Sequence, residues 1–220
     1  MKRFPTMTAF AAAAALTAGT ASAELLQNTG FEAGTGSDAD VWNEIVGGPN
    51  GSVGRSTAMP DTGTYSAEIS FDNTVTGPGG AYFIEQNLGA NTVNSLVNHN
   101  FSFRAKVEQT VYEGHNIFYQ LQWLDQDGSN GGGFKGQLDG SLVGLASTSY
   151  QTFSFTDIDV PDDADSFLVR FQVSAGAVQG SNVFNTLYVD NVSLTEVPEP
   201  SSLALLGLGG LAALRRRRRA

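Results

Sequence analysis

Alternation of apolar and polar residues with a period of two is the feature that most limits what this chain can become. In residues 100–107 (NFSFRAKV), Phe101, Phe103, Ala105 and Val107 share one side of an extended backbone, and Ser102, Arg104 and Lys106 share the other. Residues 116–123 (NIFYQLQW) set Ile117, Tyr119, Leu121 and Trp123 against Phe118, Gln120 and Gln122. The pattern returns in 152–160, 167–173 and 187–194. Only a strand sorts its side chains this way, since successive Cβ atoms point to opposite faces of a sheet. Shorter stretches of the same kind occupy 25–28, 41–46, 53–55, 65–71 and 81–88. Turn-forming Gly, Pro, Asn and Asp fill 47–51, 61–63, 76–80 and 127–129 between them. About ten strands at this spacing predict an all-β domain, an antiparallel β-sandwich of jelly-roll type.

The sandwich is expected over residues 24–196, one domain that must stand on its apolar core. The chain has no cysteine, so there is no disulfide framework, thiol nucleophile or thiolate metal site. Its surface is strongly acidic. Residues 24–196 hold five basic side chains (Arg55, Arg104, Lys106, Lys135, Arg170) against 21 acidic ones, a net of −16. Such a surface repels nucleic acid and anionic lipid and favours cations or neutral ligands.

Both ends of the chain carry addresses. Met1-Lys2-Arg3, the apolar run 10–16 and Ala21-Ser22-Ala23 read as a secretory signal peptide over 1–23, leaving Glu24 as the mature N-terminus. At the other end, residues 197–220 hold Pro198-Glu199-Pro200, a twelve-residue apolar run at 203–214 (LALLGLGGLAAL) and Arg215 to Arg219. The prolines end the preceding fold, and the arginines stay on the cytoplasmic side of a bilayer. Spanning a hydrocarbon core takes roughly 20 residues, so this short transmembrane sorting helix suits a transient intermediate at the inner membrane rather than a permanent anchor. The tail resembles the PEP-CTERM sorting signal of Gram-negative bacteria. That resemblance implies export, processing by an exosortase near Pro198, Glu199 and Pro200, and a final place in the envelope or outside the cell.

The 24–196 segment opens Leu25-Leu26-Gln27-Asn28-Thr29-Gly30-Phe31-Glu32, continues with Gly63-Thr64-Tyr65-Ser66-Ala67-Glu68-Ile69, and closes on Val189-Asp190-Asn191-Val192-Ser193-Leu194. In this order the marks resemble the galactose-binding-like jelly roll of several carbohydrate-binding module families. The first and last strands of a jelly roll meet, which brings Glu32 and Asp190 together. Two close carboxylates call for a cation or a proton. The resemblance implies structural calcium held by Glu32 and Asp190, with Asn28 as a turn former or a further oxygen. A second acidic stretch, Asp125-Gln126-Asp127-Gly128-Ser129, begins like an EF-hand loop. It has Asn130 where such a loop needs Gly and Gly136 where it needs Glu, so it reads as a hairpin turn.

Sugar sites pair aromatic faces with hydrogen-bonding side chains. The candidates are Trp42, Tyr82, Tyr119 and Trp123, with Gln86, Gln120 and Gln122 as polar partners. Tyr119 and Trp123 share a side with Ile117 and Leu121, which marks them equally as core. The side bearing Gln120 and Gln122 is then the alternative groove. No serine elbow, phosphate loop or H-E-x-x-H motif is present. The expected role is non-catalytic carbohydrate binding. The alternatives are a structural biofilm-matrix protein without sugar affinity and a small glycan-active hydrolase.

Overall fold

The computed structural model of the protein describes residues 22–72, 74, 76–110, 115–176, 178–179 and 184–197. Nearly all of the expected signal peptide lies outside these residues, as do Pro198, Glu199, Pro200 and the apolar segment behind them. Among the described residues no helix is long and apolar enough to cross a membrane.

The chain is all-β. A short hairpin of β1 (Gly34–Thr35) and β2 (Asp38–Ala39) precedes β3 (Asn43–Val46), β4 (Gly51–Ser56) and β5 (Ser66–Asp72). Next come β6 (Thr76–Gly77), β7 (Gly80–Asn87), β8 (His99–Val107), β9 (His115–Asp125) and β10 (Gly133–Ser141). The last are β11 (Gln151–Ile158), β12 (Ser166–Ala175), β13 (Val178–Gln179) and β14 (Phe184–Glu196). Two five-stranded antiparallel sheets, ordered β10–β9–β12–β7–β3 and β11–β8–β14–β5–β4, face each other as a sandwich. Chain neighbours such as β7 and β8 lie in different sheets, which is the crossing pattern of a jelly roll.

Alternation explains the core. The inward sides of β8 (Phe101, Phe103, Ala105, Val107), β9 (Ile117, Leu121) and β12 (Phe167, Val169, Phe171, Val173) are fully covered. They meet Ala67, Ile69 and Phe71 of β5 and Leu187 and Val189 of β14. Phe103 sits amid rings, with Tyr119 at 5.2 Å, Phe153 at 5.1 Å and Phe171 edge-on at 4.9 Å. Each such phenyl contributes about 1.5–3 kcal/mol by burial alone.

Two expectations for the first strands need correction. Residues 25–28 make no strand: Glu24 alone bridges Thr195, and Asn28 turns the chain at φ 48°. Val41 stands at φ 67°, so the strand expected from 41 begins only at Asn43. The loop between is held by Arg55. Its guanidinium donates to the carbonyls of Glu32 (2.8 Å), Gly34 (2.6 Å) and Gly36 (3.0 Å) and stacks on Tyr65 at 4.0 Å.

His99, fully buried at the start of β8, packs edge-on to Phe167 at 5.0 Å. Burial pulls its imidazole below the ordinary value, and the charge of Glu196 opposes this. An unfolded histidine titrates near 6.5. Neutral His99 therefore supports the fold fully above about 6.5, and that support is lost as pH falls below this value toward the folded one. The thermal midpoint is expected to drop more steeply between about pH 7 and 5 in the parent than in His99→Phe. Parallel curves would contradict it.

Candidate functional site

The outer face of the β10–β9–β12–β7–β3 sheet is amphipathic and organised in rows. One row of register partners runs Asp139, Gln120, Arg170, Glu85 and Asn43 across the five strands. A second runs Ser141, Phe118, Gln172, Phe83 and Ile45, and a third Gln137, Gln122, Leu168 and Asn87. The intervening residues of β9 and β12 are core, so the alternation that buries Tyr119 and Phe171 presents Gln120 and Arg170 outward.

The centre of this face is fixed by charge. Arg170 Nη2 lies 2.6 Å from Glu85 Oε2, and Nε donates to the same oxygen at 2.8 Å. Its guanidinium lies 4.3 Å from the centroid of the Phe83 ring. Asn43 reaches Glu85 Oε1 from the far side, and Gln122 donates to Gln137 at 3.3 Å. Gln120 differs from its neighbours. Its carbonyl Oε1 is buried and accepts no hydrogen bond, beside Arg170 in the row. A buried acceptor without a donor costs about 1–3 kcal/mol, which a turn of the Gln120 side chain toward a ligand hydroxyl would recover. Phe83 and Phe118 stand two strand spacings apart, about 10 Å, on either side of Gln172.

Of the seven candidate ligand residues, Gln120 and Gln122 lie on this face. The others do not. Tyr82 is fully buried with its hydroxyl accepting from Asn50 N, and Tyr119 is 7% exposed among Phe101, Phe103 and Phe155. Trp42 is 4% exposed, packs on Phe31 at 5.0 Å and donates to Asn28 O. Trp123 is half-buried against the core, where its ring leaves no room for a side chain at Gly136. Gln86 spends its carboxamide on the Gln27 backbone, with two bonds of 2.9 Å, at the wall of a cleft of about 250 Å³ shared with Leu25, Val41 and Leu88. Phe118 lies beside Gln120 and Gln122 on the side expected as the alternative groove. Phe83, Glu85 and Arg170 share that face and were not among the candidates, although they fall on the outward sides of 81–88 and 167–173.

Glu32 and Asp190 both lie beside Gly30, where a Cβ would stand 3.6 Å from Asp190 Oδ1 and 3.9 Å from Glu32 Cγ. Asp190 stands at a bulge in β14. Its register with β8 shifts between Asp190 and Ser193, and Asn191 takes φ 50°, a conformation Asn tolerates. Asp190 is fully buried. Its Oδ2 accepts from Asp61 N and Thr62 N, and its Oδ1 from Asn191 N at 2.7 Å. Glu32 Oε1 accepts from Thr64 N and Tyr65 N. Burial still pushes the Asp190 carboxyl above the usual range despite these donors. A buried carboxyl in that condition takes up a proton or a cation. Asn28 does not serve as a ligand: its carboxamide is spent on Ala33 N, Ala33 O and Asp40 O, holding the loop. A separate group of three carboxylates, Asp125, Asp127 and Asp165, gathers at the end of β9.

Residues 196–219 match the family model for the PEP-CTERM protein-sorting motif. No curated protein sequence matches the chain. Among solved structures, a carbohydrate-binding module from the β-sandwich superfamily is similar at 16% identity and a TM-score of 0.53, over 76% of this chain and 60% of that one. TmCBM61, solved with beta-1,4-galactotriose, aligns at 14% identity and 0.48, over 80% and 99%. The Stig cyclase Fisc from Fischerella sp. TAU aligns at 15% identity and 0.50, over 81% and 100%. At such identities the shared property is the fold. The chain is a β-sandwich protein built like carbohydrate-binding modules. More particularly, it is one that carries a PEP-CTERM sorting motif directly behind its last strand.

Proposed function

We propose that residues 24–196 bind a neutral polysaccharide, without catalysis, on the outer face of the β10–β9–β12–β7–β3 sheet. The observation that carries this reading is the row Asp139–Gln120–Arg170–Glu85–Asn43 with its unpaired Gln120 carbonyl, bordered by Phe83 and Phe118. Polar groups are fixed there before a ligand arrives, and apolar rings lie within reach of a sugar's C–H face. The −16 balance of residues 24–196 disfavours polyanions. Signal peptide 1–23 and tail 197–220 deliver the domain, an exosortase acts near Pro198, Glu199 and Pro200, and the product works in the envelope or outside the cell.

Catalysis by glycoside hydrolysis is disfavoured by the same row. Its two carboxylates, Asp139 and Glu85, stand three strands apart, about 14 Å, and Glu85 is neutralised by Arg170. Acid and base must lie about 5–9.5 Å apart. Affinity electrophoresis of the purified chain through neutral polysaccharides, with calcium present, tests the reading. Retardation by at least one is expected. Free passage through all of them would favour a purely structural matrix role, and reducing-end release would favour a hydrolase.

Calcium at the Glu32–Asp190 seam belongs to the same proposal. An ion held at 100 times its dissociation constant adds about 2.7 kcal/mol to stability. Calcium is expected to raise the thermal midpoint of the parent, measured against chelator, by more than it raises that of Asp190→Asn. An equal rise in both would place the ion elsewhere.

A further inference from the structure

The turn from β9 to β10 holds a second acidic centre. Asp125, Asp127 and Asp165 each bring a carboxylate oxygen within 4.8 Å of the other two. Backbone amides fix all three. Asn130 N and Gly132 N donate to Asp125 Oδ2, Ser129 N to Asp127 Oδ1, and Gln126 N and Asp127 N to the two oxygens of Asp165. The decisive atom is Asp125 Oδ1. Asp125 is 2% exposed, and this oxygen is buried without a hydrogen-bond partner. A buried carboxylate oxygen left without a donor beside two further carboxylates favours a bound cation.

We propose that Asp125, Asp127 and Asp165 bind a calcium ion, distinct from any ion at the Glu32–Asp190 seam. The EF-hand-like start Asp125-Gln126-Asp127-Gly128-Ser129 has no carboxylate at its twelfth position, Gly136. The fold supplies the third one across the sheet instead. Asp165 immediately precedes β12, whose Ser166 is the register partner of Leu124. All donors are hard oxygens, which suit calcium or magnesium. Calcium holds its ligands at 2.3–2.6 Å, so opposite oxygens stand up to about 5 Å apart; magnesium allows about 4.2 Å. Oxygens that all lie within 4.8 Å of one another can share one calcium ion.

Lys135 does not take the ion's place. Its Nζ lies 3.7 Å from Asp125 Oδ2, the oxygen already bound by two amides, and closer to Asp163 at 3.2 Å. With Lys135 and Asp163 counted, four carboxylates face one ammonium. The bound ion would stiffen the turn at the end of the row containing Gln122 and Gln137.

Calcium dialysis of the full-length chain tests the site, with Asp127→Asn and Asp165→Asn as variants. The Asp127 side chain is exposed, so its loss leaves the core untouched. The parent is expected to bind one more calcium than Asp127→Asn at about millimolar free ion, the range of extracellular modules. Affinity at this site should weaken at least tenfold in either variant and stay unchanged in Asp190→Asn. Terbium luminescence excited through Trp123, two residues before Asp125 on β9, should follow the same order. Equal calcium binding by the parent and both variants would overturn the proposal, and so would a parent that binds none at that concentration.

Discussion

Arg55→Met is expected to destabilise the domain by about 3–5 kcal/mol, lowering the thermal midpoint by about 10 °C. Arg55 is 7% exposed, and its guanidinium is the donor to three loop carbonyls, those of Glu32, Gly34 and Gly36. Methionine keeps much of the apolar stem and removes every donor. Three carbonyls then lose their partner at once, together with the stacking on Tyr65. The loop they belong to also carries Glu32, so calcium should raise the midpoint less in the variant than in the parent. A midpoint within about 2 °C of the parent would mean that water replaces the guanidinium without cost.

The second large effect is on binding. Arg170→Met should weaken polysaccharide affinity ten- to a hundredfold, about 1.4–2.8 kcal/mol, with stability changed by about 1 kcal/mol or less. Arg170 is held between Glu85 and Phe83, so its N–H groups reach a ligand with little ordering left to do. Removing it also leaves the Glu85 carboxylate without its cation under a bound sugar. Phe83→Ala should give a comparable loss by taking away the ring. Lys106→Met, on β8 of the opposite sheet, should bind as the parent does. Equal affinity in all three variants would move the ligand off this face.

Much of the sandwich could be read from residue alternation, because one-sided burial writes itself into a period of two. β8, β9, β11, β12 and β14 all fall where alternation places them. β10 escaped notice. Its sequence GFKGQLDGS is rich in glycine and exposed along the sheet's edge, so burial imposes little pattern on it. The pairing of Glu32 with Asp190 was expected from the order of strands in a jelly roll, whereas the bulge that Asp190 occupies in β14 shows only in the register with β8. The ligand face was harder. Tryptophan and tyrosine are common in sugar sites but equally good at filling a core, and here Trp42, Tyr82 and Tyr119 fill it. Arginine at 170 was visible on the polar side of its strand, yet only the register across β12 and β7 shows that it meets Glu85. The Asp165 contribution to the β9 turn is likewise a matter of which strands are neighbours, and no spacing along the chain reveals that.

Strand order also sets a timetable. β14 is the last strand made and the middle one of its sheet, between β8 and β5. Until Phe184–Glu196 arrives, β8 has only β11 and β5 only β4 beside it, the two pairs are parted by a gap of two spacings, about 10 Å, and this sheet stays open. The sorting motif starts at residue 196, the final residue of that strand. A chain crossing a membrane N-terminus first therefore delivers its address at the moment it becomes able to fold. Folds dominated by such distant pairings close in milliseconds to seconds. Release of the tail faster than that would set free a passenger that has not yet folded.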